Sequence, residues 1–189
     1  VGNFEGKAIM TSANCRSGTD RVAEVAKGLN ADIFVNIQGD EPLISPEVIS
    51  KVAQVLIEDK AIDIATVGRK IITQEELNNP NIVKVIIDKG GFALYFSRAQ
   101  IPYVRDSLEL ESLGSVCCKH IGLYAYRRDF LLDFMQMEQT PLEKVEDLEQ
   151  LRALENGYRI KVVITKFDAV GVDTREDLEK VRKILKNSK

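Results

Sequence analysis

With 189 residues, a net charge of −3 and a pI of about 5.4, the chain is long enough for one sizeable core and short for two, so a single domain over residues 1–189 is expected. Its lysines and arginines are spread along the chain rather than massed, which argues against a nucleic-acid surface; a polyphosphate ligand would have to be met locally or through a metal. No apolar run approaches the roughly 18–20 residues that span a bilayer, and the N-terminus lacks the basic-then-apolar pattern of a signal peptide. Three cysteines, two of them adjacent, fit free thiols in a reducing, cytoplasmic compartment better than a disulfide framework or a zinc site.

Helix and strand signals alternate. After Ser17-Gly18-Thr19, the residues Val22, Val25, Ala26 and Leu29 recur at helical spacing. Ile33 to Ile37 reads as a buried strand, and Ser45 followed by Pro46 opens a helix with Val48, Ile49, Val52 and Leu56 on one stripe. Ile62 to Val67 returns as strand. Ile82–Ile87 and Phe92–Phe96 flank Asp88-Lys89-Gly90-Gly91, which is hairpin chemistry. Val116–Tyr126 is a further strand, with a short helix from Asp129. Thr140-Pro141-Leu142-Glu143 combines a capping box with an N1 proline, predicting one helix with Leu142, Val145, Leu148, Leu151 and Leu154 inward and Gly157 past its end. Arg159–Thr165 reads as strand, and Thr174 to Asp177 caps a last helix with Leu178, Val181, Ile184 and Leu185 on one side. The pattern predicts an α/β fold of three layers, helices on both faces of a mainly parallel mixed sheet, with an antiparallel insertion.

Ligands of such sheets gather at the carboxyl ends of strands. Asp40 follows the strand ending at Ile37, and Asp173 follows the strand ending at Thr165. Converging carboxylates repel unless a cation lies between them, and Mg²⁺ takes oxygen ligands while keeping positions for phosphates. Both residues also suit plain turn or helix-start roles. His120, the one histidine, shares a strand face with Cys118, Gly122, Tyr124 and Tyr126 by the period-two rule, framing a gap at Gly122 with Tyr124; a core or rim histidine fits the same position. Arg98 could fork onto a carboxylate or stand as a surface arginine. Glu149 and Gln150 read as a solvated helix edge beside Leu148 and Leu151.

The segments SGTDR (17–21), VNIQGDEPLI (35–44), NPNIVKVIID (79–88), FALYFSRAQIPY (92–103), KHIGLYAYRRDF (119–130), PLEKVEDLEQLRALENG (141–157) and GVDTREDLEKV (171–181) together resemble the 3-deoxy-manno-octulosonate cytidylyltransferases. That resemblance implies the nucleotide-diphospho-sugar transferase-like fold and a reaction joining Kdo to CTP, with release of pyrophosphate and formation of CMP-Kdo for lipopolysaccharide synthesis. It implies Mg²⁺ on Asp40 and Asp173, and a cytidine pocket lined by Ser17, Gly18 and Gln38. It assigns the sugar acid to Arg98, His120, Tyr124, Glu149 and Gln150. It also implies a homodimer, and assigns sugar binding and dimerisation to an insertion over residues 83–127.

Two departures qualify the expectation. Family members begin with a strand and an IPARxxSTRLPxKPL-type loop that embraces the triphosphate, whereas this chain opens VGNFEGKAIMT, which suggests an N-terminally incomplete chain with little synthase activity of its own. Asn14-Cys15-Arg16 stands where the family shows Asp-His-x, putting any contact from that Asp or His in doubt. The alternatives are a cytidylyltransferase for another sugar acid, 8-amino-Kdo or a sialic acid, and a catalytically silent nucleotide-binding subunit.

Overall fold

Ser17, Ser45 and Thr73 each combine extended backbone with a side-chain oxygen that accepts a first-turn N–H, from Asp20, Glu47 and Glu76 respectively. They therefore cap α1 (Gly18–Lys27), α2 (Pro46–Glu58) and α3 (Gln74–Asn78). The computed structural model describes residues 6–105, 113–168, 171–172 and 174–187. Its strands are β1 (Ile33–Asn36), β2 (Ile64–Lys70), β3 (Lys84–Ile87), β4 (Ala93–Ser97), β5 (Cys117–Arg127) and β6 (Ile160–Thr165). Helices α4 (Arg128–Phe134), α5 (Pro141–Glu146), α6 (Gln150–Glu155) and α7 (Arg175–Asn187) complete the described elements.

The sheet runs β4-β3-β5-β2-β6, with β1 also bonded to β5. β5 is antiparallel to β1, β2 and β3, whereas β2 and β6 are parallel. It follows that β1, β2, β3 and β6 share one direction, opposed by β4 and β5. This is the expected mixed α/β sheet. The helix crossovers set the common direction of four strands, but β5 lies between β1 and β2, so most neighbours in space are antiparallel.

The predicted hairpin is present between β3 and β4. Asp88 N–H donates to the Phe92 carbonyl, Phe92 N–H donates to Asp88 Oδ1, both at 2.8 Å, and Gly91 takes φ +73°, the left-handed region open to glycine. A β-bulge interrupts the β2–β5 pairing: Thr66 faces Tyr124 while Val67 faces Ile121, so Gly122 and Leu123 are extruded.

Helices cover both faces. On one, Ala23 and Ala26 of α1, Phe130, Leu131 and Phe134 of α4 and Leu151 of α6 pack on Ile64, Tyr124, Tyr126, Ile160 and Val162. On the other, Val48, Val52 and Leu56 of α2 pack on Ala65, Val67, Ile121, Leu123 and Ala125. Of the four apolar positions expected inward on α7, Val181 is buried, while Leu178, Ile184 and Leu185 are exposed.

The single helix expected from Thr140 to Gly157 is two helices. Asp147 takes φ 53°, ψ 51°, ending α5 before α6 begins at Gln150. Val145 is 82 % exposed and Leu142 is also exposed, whereas Glu143 is buried. The apolar spacing misled because Glu143 has a buried partner: Arg152 Nε donates to its Oε2 at 2.8 Å, Nη2 donates to its Oε1, and Arg152 is fully buried. Turning Glu143 inward turns Leu142 and Val145 outward, and the left-handed Asp147 re-aims the chain so that Leu148 and Leu151 still reach the core.

Candidate active site

The extruded Gly122-Leu123 pair determines how the β5 side chains meet. Because the bulge consumes both residues, His120 and Tyr124 become neighbours on one face, with ring centroids 5.3 Å apart. The gap expected at Gly122 is therefore closed by ring contact, and a Cβ at Gly122 would lie 3.5 Å from Gln38 Cγ. The rings continue as a row: Phe96 meets His120 edge-on at 5.1 Å, and Tyr124 stacks on Tyr126 at 5.6 Å.

Hydrogen bonds fix the His120 tautomer. Thr66 Oγ1 lies 2.9 Å from both the Leu123 carbonyl and His120 Nε2. A hydroxyl has one proton to give; donated to the carbonyl, it leaves Thr66 to accept from Nε2–H, so Nδ1 carries the lone pair. Burial pushes the His120 pKa down to about 3, and the ring is neutral at physiological pH. It presents an acceptor, not a cation.

A second relay joins two distant segments. Thr19 Oγ1 donates to Glu149 Oε1 and lies 3.2 Å from Tyr126 OH; with its proton committed to the carboxylate, it accepts from the tyrosine. Thr19 is buried directly after Ser17 and Gly18. Asp20, also buried, sits 4.0 Å from Arg152 Nη1. The solvated-edge reading of Glu149 and Gln150 thus gives way: Glu149 is held from α1, and Gln150 is 8 % exposed. The kink at Asp147 puts them there. Among the polar atoms buried on this face without a hydrogen bond of normal geometry are Tyr124 OH and Glu149 Oε2.

Arg98 is not a free surface arginine. Its backbone N–H donates to Glu146 Oε2 at 2.9 Å, its Nε to the Glu146 carbonyl at 2.9 Å, and its Nη2 to the Asp147 carbonyl at 3.3 Å. Two directions of the guanidinium are thereby spent on the C-terminal end of α5, where carbonyl oxygens favour a cation. Glu146 also accepts from Ser97 Oγ at 2.6 Å and from Tyr95 OH at 3.4 Å. Burial works to raise the Glu146 pKa, but these donors and the Arg98 charge hold it below its ordinary value. From the other side Lys84, fully buried, donates to the carbonyls of Asn79, Ile82 and Arg98 at 2.8, 2.7 and 2.6 Å.

Among the residues assigned to cytidine, Ser17 is the α1 cap, and added Cβ atoms at Gly18 or Gly39 would meet nothing within 4 Å. The Gln38 carbonyl closes a turn by accepting from Glu41 N–H at 3.2 Å. The departure at Asn14-Cys15-Arg16 is absorbed locally: Arg16 Nε lies 3.7 Å from Asp20 Oδ2, and Arg16 Nη2 donates to the Met137 carbonyl.

Asp40 is exposed on the loop after β1. Asp173 lies outside the described residues, so their convergence stands as an expectation. Val172, the residue before it, donates its N–H to the Asp40 carbonyl at 2.8 Å, and a Cβ at Gly171 would lie 3.7 Å from Glu41 Oε1. Among the described residues no group of three or more His, Cys, Asp or Glu side chains is placed to hold a metal ion. Asp40 offers an oxygen ligand of the kind Mg²⁺ takes while completing its shell with water and phosphate oxygens.

A separate groove of about 920 Å³ lies on the α2 face at the carboxyl ends of β2 and β6, lined by Ser45, Arg69, Lys70, Phe167 and Asp168 among others. It contains none of the residues expected at the site. Its buried cation, Arg69, is paired with Asp168 and Glu76.

Sequence reasoning missed Thr19, Thr66, Glu146 and the Glu143–Arg152 pair. The available signal was polarity out of place: a threonine in the otherwise apolar run of β2, and glutamates recurring every third residue at 143, 146 and 149.

The cytidylyltransferase family model matches residues 1–162. A 3-deoxy-manno-octulosonate cytidylyltransferase of Geotalea uraniireducens is 53 % identical over 189 aligned positions, covering 97 % of this chain and 75 % of that protein. One of Fusobacterium nucleatum is 48 % identical over 187, covering 98 % and 74 %. A solved CMP:2-keto-3-deoxy-manno-octonic acid synthetase complexed with CTP superposes with a TM-score of 0.91 at 40 % identity, over all of this chain and 76 % of that one. At 14 % identity, 4-diphosphocytidyl-2C-methyl-D-erythritol synthase of Anaerococcus prevotii shares the fold alone, covering 88 % of this chain and 65 % of its own with a TM-score of 0.54. The chain belongs to the 3-deoxy-manno-octulosonate cytidylyltransferase family.

Proposed function

We propose that this chain carries the activity named in its relatives, joining Kdo to CTP to give CMP-Kdo and pyrophosphate for lipopolysaccharide biosynthesis. The observation that carries the reading is the pair of buried, unpartnered polar atoms, Tyr124 OH and Glu149 Oε2, beside the acceptor nitrogen of His120. Unpaired polar groups are costly in an otherwise apolar face, and a polyhydroxylated acid supplies both donors and acceptors to them. On this reading Arg98, His120, Tyr124, Glu149 and Gln150 hold the sugar acid, while Ser17, Gly18 and Gln38 line the cytidine pocket.

The reaction needs the anomeric hydroxyl aligned with the α-phosphorus for in-line displacement of pyrophosphate. Glu149, fixed by Thr19, and His120, fixed by Thr66, orient the ring by accepting from its hydroxyls. Arg98, clasped to the end of α5, keeps a positive charge near the sugar carboxylate. Asp40 and Asp173 would hold Mg²⁺. Bound there, the ion would neutralise phosphate charge and lower the pKa of the attacking hydroxyl, so no side-chain base is required. Burial keeps His120 neutral, consistent with a role in orientation rather than proton removal.

The reading brings with it a cytoplasmic homodimer. Exposed Leu94 on the edge strand β4, with exposed Tyr103 and Val116 in the same insertion, supports pairing through residues 83–127. Light scattering of Leu94→Glu against the unchanged protein tests that assembly. For the activity, pyrophosphate release from CTP is measured with Kdo, 8-amino-Kdo and a sialic acid, with and without Mg²⁺, on the chain preceded by the family's IPARxxSTRLPxKPL-type segment. Release is expected to be fastest with Kdo, to require Mg²⁺ and to vanish in Asp40→Asn. Equal rates with a sialic acid, or turnover surviving Asp40→Asn, would overturn the assignment.

A further inference from the structure

Asn36 ends β1 directly opposite Tyr124, which in turn faces Thr66 on β2. Directly paired residues of antiparallel strands project from the same face, so Asn36, Tyr124 and Thr66 form one row across three strands. Thr66 is satisfied by the Leu123 carbonyl and His120. Asn36 Nδ2 is buried without a hydrogen bond, and Tyr124 OH has only Thr66 beside it, with no bond of normal geometry. Arg152 Nη1 is likewise without a bond but has Asp20 as its counter-charge at 4.0 Å; Asn36 has no such compensation.

A buried amide donor with nothing to bond is an unfavourable choice for a strand end, where valine or threonine would serve the sheet better. The chemistry around it points to a ligand. Glu149 Oε2 and His120 Nδ1 only accept. Each hydroxyl of a polyol both donates and accepts, so these acceptors need donors opposite them. Asn36 adds a neutral amide donor on the Tyr124 side, alongside those of Arg98 and Gln150.

We propose that Asn36 is a substrate-contacting residue of the sugar-acid subsite, its Nδ2–H donating to a hydroxyl or ring oxygen of the polyhydroxylated acid beside Tyr124. This rests on the reading of the Tyr124–Glu149 face as that subsite, and the test separates the two. Affinity for Kdo and for CTP is measured by titration calorimetry for the unchanged chain, Asn36→Leu, Asn36→Asp and Tyr124→Phe, with thermal midpoints alongside. Both Asn36 variants are expected to weaken Kdo at least fivefold, about 1 kcal/mol, and to leave CTP within twofold. Asn36→Leu should melt at or above the unchanged protein, because it removes an unsatisfied donor. Asn36→Asp keeps the shape without the donor but adds a charge that repels an anionic acid, so the contact requires the loss in the neutral Asn36→Leu as well. If Tyr124→Phe weakens Kdo and neither Asn36 variant does, Asn36 is not a contact although the subsite stands. Should the unchanged chain not bind Kdo, or all variants bind it equally, the subsite reading falls and this assignment with it. A midpoint lowered by several degrees in Asn36→Leu would make the amide structural and overturn the proposal.

Discussion

Replacing Glu143 by Gln tests whether the buried ion pair between α5 and α6 sets the kinked geometry there. Arg152 is fully buried, is bound by Glu143 through two N–H directions, and stacks 4.5 Å over the Phe134 ring. Burial works to raise the Glu143 pKa, but the bond and charge of Arg152 overcome it and hold the carboxylate ionised. Glu143→Gln removes the countercharge and leaves a guanidinium in the core. Breaking a buried pair from one side costs about 3–5 kcal/mol. Asp20, 4.0 Å from Nη1, supplies residual negative charge, so the lower end applies, about 3 kcal/mol. In a chain of this length that lowers the melting midpoint by about 10 °C. The double variant Glu143→Leu with Arg152→Met replaces both charges by apolar groups and should recover most of the loss, since desolvation is no longer opposed. Chemical denaturation of the three variants measures both quantities. A loss below about 1 kcal/mol in Glu143→Gln, or a double variant less stable than the single, would refute the argument.

Three further outcomes are expected. His120, the one histidine, is held at about 3 by burial against an ordinary value of about 6.5, so the unfolded chain binds more protons between those values. The stability it contributes is complete above pH 6.5 and is lost as pH falls towards 3, by at most about 1.4 kcal/mol per pH unit; urea midpoints from pH 7 to 5 should fall more steeply in the unchanged protein than in His120→Phe, and parallel slopes would exclude the effect. Thr19→Val cuts the Tyr126–Thr19–Glu149 relay at its centre with little change of shape; kcat/KM for pyrophosphate release should drop about tenfold, the order expected for one lost positioning hydrogen bond to a charged group, and undiminished turnover would show Glu149 to be held otherwise. Gly68→Ala places a Cβ 3.0 Å from Val162 Cγ1 and 3.1 Å from Cys118 Cβ, costing about 1–3 kcal/mol in denaturation, whereas Gly122→Ala, 3.5 Å from the flexible Gln38 side chain, should stay within about 0.5 kcal/mol. Equal costs would contradict the packing described.

The elements legible in the sequence were those whose cause is local. Ser45 and Thr174 are read as caps because the hydrogen bond that caps a helix lies within three residues of its start, and each is made. The Asp88–Gly91 turn needs only its own four residues and a glycine at positive φ. Where a distant partner decides, the reading failed. Periodicity from Thr140 onward predicted one helix with Val145 inward, because nothing nearby announces that Glu143 will be drawn in by Arg152. Gly122 was a true signal, since glycine in a strand marks a bulge as readily as a gap. Only the register of β2 against β5 decides between them, and Thr66 fixes that register from 57 residues away by donating to the Leu123 carbonyl.

Distance in sequence also explains why spacing alone misread Glu149 as solvated. The glutamates at 143, 146 and 149 look like one solvated helix edge, yet each answers to a different element: Arg152 on α6, the Ser97-Arg98 end of β4, and Thr19 on α1. The segments SGTDR, FSR and LEKVEDLEQLR therefore constrain one another through buried polar bonds, independently of any ligand. A buried carboxylate leaves little tolerance for change at its partner, since removing one side strands a charge, while a purely ligand-facing residue is constrained by substrate alone. On that logic and on the proposed reading, retuning the sugar specificity should begin at Asn36 and Gln150, for which no side-chain hydrogen bond is made among the described residues. Changes at Thr19, Glu146 or Arg152 would be expected to cost stability before they alter which acid is bound.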